Sequence, residues 1–173
     1  MAILTDNILK TVKMLLLDVD GVLTRGDIIY DDSGRESKAF NVKDGLGIRL
    51  LAQAGIDIGI VTARRSKALT VRCRDLGIER IYDGVSNKGA VLDLILSENR
   101  VKAKDIAFIG DDLPDLSLMR RIGVPIATAD AHETVRAMCR MTTTAKGGSG
   151  AVREVCERIL KSQGLWEDIL KCY

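Results

Sequence analysis

Aromatic side chains are scarce in this chain of 173 residues, at 3% of the total. So few flat rings leave little on which nucleobases could stack. Charge of one sign is also lacking: 26 Lys and Arg stand against 24 Asp and Glu, a net charge of +2 without long blocks. The electrostatic footprint of a nucleic-acid binder is therefore missing, and no nucleic-acid partner is expected. His132 is the one histidine, and Cys73, Cys139, Cys156 and Cys172 form no Cys-x-x-Cys pair, which argues against zinc. His132 is expected to cap a helix or face solvent. The cysteines are expected to be reduced core residues, which predicts a cytoplasmic protein. Long apolar runs are absent near the start, where Met14 to Leu17 is closed by Asp18. That is far short of the roughly 18 residues a membrane span needs, and no signal-peptide pattern precedes it, so no membrane partner is expected.

What is present suffices for a core, since 46% of residues are hydrophobic, and residues 1–173 are expected to form one domain. Leu15 to Thr24, reading Leu-Leu-Leu-Asp-Val-Asp-Gly-Val-Leu-Thr, organises the rest. Its apolar part reads as a short buried strand of a parallel sheet, ending where open α/β sheets bind ligands. Asp18 and Asp20 follow, two residues apart. Carboxylates so close repel each other, so the site holds a cation or keeps one of them protonated. Gly21 lets backbone N–H groups curl around an anion. Together these features point to phosphoryl chemistry.

Further along, Met1 to Lys13 predicts a lead-in helix with Leu4, Ile8, Leu9 and Val12 at helical spacing and Thr5 or Asp6 as cap. Asp27 to Tyr30 and Glu36 to Phe40 flank Asp31-Asp32-Ser33-Gly34, the pattern of a β-hairpin. Asp44 is expected to cap a helix reaching Ala54, and Ser66 another that ends at Gly77. Strands are expected at Ile56 to Val61, around Ile81, at Ile106 to Ile109, at Val124 to Ala127 and at Met141 to Thr144. Helices fall between them, which predicts a doubly wound α/β (Rossmann-like) parallel sheet. Lys88 falls in the first turn of one helix, where a cation opposes the helix dipole unless an anion compensates. Gly147-Gly148-Ser149-Gly150 reads as a flexible break before an amphipathic helix.

Asp18 with Asp20, then Thr62, then Lys88, then Asp111, Asp112 and Asp115 all fall at strand ends or at the helix starts that follow. Parallel strands bring such positions to one edge of the sheet. The order Asp-x-Asp, Thr, Lys, Gly-Asp-Asp-x-x-Asp resembles the haloacid dehalogenase superfamily over nearly the whole chain. With Phe40-Asn41-Val42-Lys43-Asp44-Gly45 and Gly147-Gly148-x-Gly150-Ala151-Val152-Arg153-Glu154, it resembles the family of bacterial 3-deoxy-D-manno-octulosonate 8-phosphate phosphatases. Ala63 and Ser149 depart from that family's usual pattern.

The resemblance implies a phosphomonoesterase of lipopolysaccharide precursor synthesis. It implies that Asp18 is the nucleophile forming an aspartyl-phosphate and that Asp20 is the acid and then the base. Asp18, Asp111 and the backbone carbonyl of Asp20 would hold Mg²⁺, a cation suited to oxygen ligands. Lys88 would neutralise charge, Thr62 would bond the phosphoryl group, and Asp112 and Asp115 would orient their neighbours. Arg64 and Lys67 are candidates for the sugar carboxylate, with solvated helix-start charges as the plain alternative. Asn41 and Lys43, in the second family motif, are further substrate-binding candidates. No insertion is long enough for a cap domain, and the resemblance implies a homotetramer with hairpins associated and tails reaching adjacent sites. A phosphatase for a nine-carbon keto-deoxy sugar acid 9-phosphate and a non-catalytic oligomerisation module are the competing functions. A signalling receiver domain is argued against by having both acids on one strand.

Overall fold

The computed structural model describes residues 7–173. Leu4, Thr5 and Asp6 of the expected lead-in helix lie outside the described residues, while Leu9 and Val12 are buried in the core. Met14–Leu17 forms β1, buried at every position. It is joined by β4 (Asp57–Val61), β5 (Arg80–Tyr82), β6 (Ile106–Gly110), β7 (Val124–Ala127) and β8 (Met141–Thr142). β2 (Ile29–Tyr30) and β3 (Glu36–Ser37) form a separate antiparallel hairpin, as the turn-rich sequence between them predicts. The six-stranded sheet runs β5-β4-β1-β6-β7-β8 with every pair parallel. The chain therefore builds outward from β1 on one side, then returns to build outward on the other. The carboxyl end of β1 is the switch point, where open sheets bind ligands.

Side-chain alternation along β1 splits the interior into two layers, as a period of two requires. Leu15 and Leu17 pack with α1 (Val42–Gln53), α2 (Lys67–Leu76) and α6 (Ala151–Ser162). Met14 and Leu16 pack with α3 (Leu92–Asn99), α4 (Leu116–Met119) and α5 (Glu133–Met138). No cap domain stands over the sheet among the described residues.

Local expectations need three corrections. Asn41, not Asp44, caps α1, its side chain accepting from the Lys43 N–H at 2.8 Å. Asp44 lies within the first turn, is 1% exposed, and accepts from the Arg153 N–H at 2.7 Å and the Gly150 N–H at 3.3 Å. It thus serves the N-terminus of a different helix, α6, which sequence proximity could not reveal. Ser66 occupies the cap position of α2 without making a side-chain cap bond. His132 does cap α5, accepting from the Thr134 N–H at 3.2 Å.

The third correction concerns Gly147 to Gly150, expected to be a flexible break. The Gly148 N–H donates to the Val22 carbonyl at 2.8 Å, and the Gly147 N–H donates to Asp130 at 3.0 Å. A Cβ on Gly147 would fall onto the Gly21 carbonyl, and Gly148 has φ +62° against Thr24 and Arg25. These glycines are there for close backbone approach, not for mobility. The helix they introduce is part of the core, with Ala151, Val152, Val155, Cys156, Ile159 and Leu160 fully buried. Chain from Thr144 onward is no detachable arm.

Candidate active site

Every strand-end residue predicted for the site is brought to the carboxyl edge around β1. Asp18 directly follows β1 and is 8% exposed, and Thr62 directly follows β4 and is 2% exposed. Lys88 opens a 3₁₀ turn at Lys88–Val91, capped by Asn87 through the Gly89 N–H at 3.0 Å. The dipole conflict seen in the sequence is resolved by two carboxylates. Lys88 Nζ lies 2.8 Å from Asp18 Oδ1 and 2.5 Å from Asp115 Oδ1.

Asp115 itself is 1% exposed, and its second oxygen accepts from the backbone N–H of Asp111 at 2.8 Å and of Asp112 at 3.2 Å. Both of its oxygens are thus committed, which makes Asp115 a bracket that sets the β6 loop against Lys88. Asp112 caps the 3₁₀ turn Leu113–Asp115, with Pro114 inside it.

The carboxylates of Asp18, Asp111 and Asp115 converge, with one oxygen of each within 4.8 Å of the others. Burial raises the Asp18 carboxyl to about 6, with Lys88 opposing the rise and Asp115 adding to it. Asp111 is pushed up to about 8, first by burial and then by the charges of Asp18, Asp115 and Asp112. Burial also works against the Lys88 ammonium, but Asp18 and Asp115 outweigh it and hold its pKa above the ordinary lysine value. Unbalanced negative charge therefore remains after the one lysine has been used. Asp111 Oδ1 is buried without a hydrogen-bond partner. Gly21, at φ +85°, leaves room for that carboxylate, which any Cβ there would strike. Hard oxygen donors, an orphaned carboxylate oxygen and surplus negative charge fit a divalent cation of the Mg²⁺ type.

Asp20 does not join that group. Its carboxylate turns toward the hairpin, forming ion pairs with Lys38 Nζ and, at 3.5 Å, with Arg64 Nε. Only its backbone carbonyl is left for the metal role inferred from the sequence. A cavity of about 370 Å³ opens over the site, lined by Asp18, Asp20, Thr62, Arg64, Lys88 and Asp111 among others. Of the other substrate-binding candidates, Asn41 spends its side chain capping α1 and donating to the Gly148 carbonyl at 3.3 Å. It lines a neighbouring cavity of about 380 Å³. Lys43 and Lys67 are exposed in the first turns of their helices and line neither cavity. Sequence reasoning missed Arg25, which lines both cavities, and Lys38 and Glu36, which reach the site from β3 and just beyond it. Charged residues in a short polar strand carry no signal that separates them from solvated ones.

The switch-point carboxylates, the buried lysine between them and the capless parallel sheet define a haloacid dehalogenase-like hydrolase. A family model of that description matches residues 76–155. The 3-deoxy-D-manno-octulosonate 8-phosphate phosphatase of Escherichia coli K12 is 41% identical over 155 residues, covering 90% of this chain and 82% of that one. The Moraxella catarrhalis enzyme of that name, crystallised with magnesium, phosphate and the sugar acid, superposes with a TM-score of 0.94. Identity to it is 40%, with 97% of each chain covered. The cobalt-bound Haemophilus influenzae enzyme gives a TM-score of 0.89 at 37% identity, covering 92% of this chain and 93% of that one. The chain belongs to the 3-deoxy-D-manno-octulosonate 8-phosphate phosphatase family of the haloacid dehalogenase superfamily, and it is a phosphatase.

Proposed function

We propose that this protein is the Mg²⁺-dependent phosphomonoesterase that hydrolyses 3-deoxy-D-manno-octulosonate 8-phosphate to the free sugar acid and phosphate, supplying a precursor of lipopolysaccharide. One structural observation carries the reading. A buried lysine clamped by Asp18 and Asp115 stands beside an unpartnered Asp111 oxygen, at the mouth of a cavity large enough for a sugar phosphate. Asp18 is the nucleophile, attacking phosphorus to give an aspartyl-phosphate, so that one difficult displacement becomes two easier ones. Asp20 protonates the departing ester oxygen and then accepts a proton from the attacking water. Asp18 and Asp111, with the carbonyl of Asp20, are the residues that would hold Mg²⁺. When bound it supplies positive charge against the phosphoryl oxygens. Lys88 adds a second, fixed positive charge, and Thr62 positions the phosphoryl group from the end of β4.

Arg64, at the cavity rim with a fork suited to carboxylates, is the candidate for the sugar acid's carboxylate. Lys43 and Lys67 have no place in this chain's cavity. We infer a homotetramer, supported by the resemblance and by Ile28, Ile29 and Tyr30 standing 54%, 47% and 60% exposed on the hairpin. The same residues would give each site the cover that a cap domain gives elsewhere. A cytoplasmic location is supported by the four unpaired cysteines. Both Asp20 and Lys88 are in place, which argues against a non-catalytic module.

Phosphate release tests the reading directly. The eight-carbon substrate is expected to be hydrolysed with Mg²⁺ and not in excess chelator, and faster than its nine-carbon homologue. Full activity in chelator, or preference for the homologue, overturns the metal or the substrate assignment respectively. Light scattering of the purified protein checks the tetramer.

A further inference from the structure

The hairpin brings to the site one residue that no strand end supplies. Lys38, just past β3, has a side chain only 2% exposed. Its ammonium pairs with Asp20 Oδ1 and lies 3.3 Å from Glu36 Oε1. Lysine is almost never buried unless paired, because leaving an ammonium dry and uncompensated is expensive. Here the compensating anions are Asp20 and Glu36. Glu36 in turn accepts from Arg64 Nη2 at 2.8 Å, and Arg64 Nε faces Asp20 Oδ2 at 3.5 Å. Thr24 Oγ1 donates to Asp20 Oδ1 at 3.4 Å.

The two oxygens of Asp20 are thus treated differently. Oδ1 is engaged by Lys38 and Thr24, while Oδ2 is buried and makes no hydrogen bond. An unrestrained carboxyl would turn about its last bond and exchange the two. With Oδ1 pinned, Oδ2, which makes no hydrogen bond and has Arg64 Nε 3.5 Å away, is the oxygen left to carry a proton.

We propose that Lys38 is a positioning residue that fixes the Asp20 carboxyl so that Oδ2 faces the ester oxygen of the substrate. The inference rests on the reading of Asp20 as the acid and base of the reaction. In the first half, Asp18 forms its bond to phosphorus and the P–O ester bond breaks. The ester oxygen leaves with the bonding pair and takes the proton from Asp20 Oδ2. In the second half, water attacks phosphorus, Oδ2 takes a proton from it, and Asp18 is released. Lys38 touches no reacting atom. Its effect is confined to steps in which a proton moves through Asp20, and in the first half it is largest where the leaving oxygen is most basic.

The test uses the full-length Mg²⁺-loaded enzyme with two substrates, the eight-carbon sugar acid phosphate and p-nitrophenyl phosphate. The first has a poor alkoxide leaving group, and the second leaves readily without a proton. Lys38→Met is expected to lower kcat/KM, which reports the steps up to departure of the leaving group, about 30-fold or more on the sugar phosphate and less than about threefold on the aryl phosphate. Lys38→Arg, which keeps a cation, is expected to recover most of the loss. In an Asp20→Asn background, adding Lys38→Met is expected to cost nothing further, because the two residues act as a unit. Losses that are equal on both substrates, or that add to those of Asp20→Asn, overturn the proposal. If Lys38→Met does not fold, Lys38→Gln carries the same comparison with the same criteria. If Asp20→Asn itself treats both substrates alike, the reading of Asp20 falls instead.

Discussion

Asp18 and Asp20 lie two residues apart, yet they belong to different parts of the molecule. Asp18 faces inward to a cluster borne on the sheet, with Lys88, Asp111 and Asp115 held by strand ends and short capped turns. Asp20 faces outward to a cluster borne on a hairpin of two-residue strands, made of Lys38, Glu36 and Arg64. In the inward cluster negative charge exceeds positive, which is how a cation site is built. In the outward cluster two cations meet two carboxylates and the charges balance. One Asp-x-Asp pair thus serves two electrostatic environments because the chain leaves the strand at Asp18 and turns through Val19 and Asp20, and only one of these environments calls for a metal.

The comparison can be broken most directly at the nucleophile. Asp18→Asn is expected to lower turnover by about a thousandfold or more while leaving the circular dichroism spectrum unchanged, since the amide cannot attack phosphorus. Residual activity above about one per cent in a pure preparation would remove Asp18 from that role.

Lys88→Ala attacks the inward cluster through its counter-charge. Removing one partner of a buried pair costs about 3–5 kcal/mol, and here three carboxylates are left facing one another. Urea unfolding at neutral pH without metal measures it, and a loss under about 1 kcal/mol would contradict the charge argument. Acidification is expected to recover part of the loss, because protonation relieves the repulsion.

The third effect is a pH dependence confined to the metal-free protein. Burial pushes the folded-state Asp18 carboxyl up to about 6 and Asp111 up to about 8, from an ordinary aspartate value of 3.8. Between these limits the folded state binds more protons than the unfolded chain. Stability therefore falls as pH rises from about 4 to 8, the reverse of a salt-bridged carboxylate. Mg²⁺ competes with those protons, so it is expected to raise Tm more at pH 8 than at pH 5. Thermal melts with chelator or Mg²⁺ at both pH values check this, and an equal rise at both would break the contrast with the charge-balanced outer cluster.

The smallest stability effect is predicted for the outward cluster. Arg64 is 40% exposed, so Arg64→Ala is expected to cost at most about 1 kcal/mol, as for other solvent-screened pairs. Its effect is expected in KM for the sugar acid phosphate, with little change for an aryl phosphate that lacks a carboxylate. A stability loss as large as that of Lys88→Ala would show that the two clusters do not differ as described.

The sequence by itself determined the strand-borne half of this protein. An apolar run closed by Asp18, strand and helix alternating after the hairpin, and chemistry-bearing residues at strand ends are local patterns. A parallel sheet converts that order along the chain into convergence at one edge. The order alone therefore assigns Thr62, Lys88, Asp111 and Asp115 to one place. The tertiary structure decided what depends on contacts between distant segments. Asp44 caps α6 across more than 100 residues, a partnership that its place in α1's first turn concealed. Gly147 and Gly148 are packed against the loop after β1, whereas glycine-rich sequence alone reads as slack. Lys38 is one charged residue among several beside a short polar strand until the hairpin folds over Asp20. Burial, charge balance and close approach are properties of the surroundings, and the surroundings exist only once the chain has closed on itself.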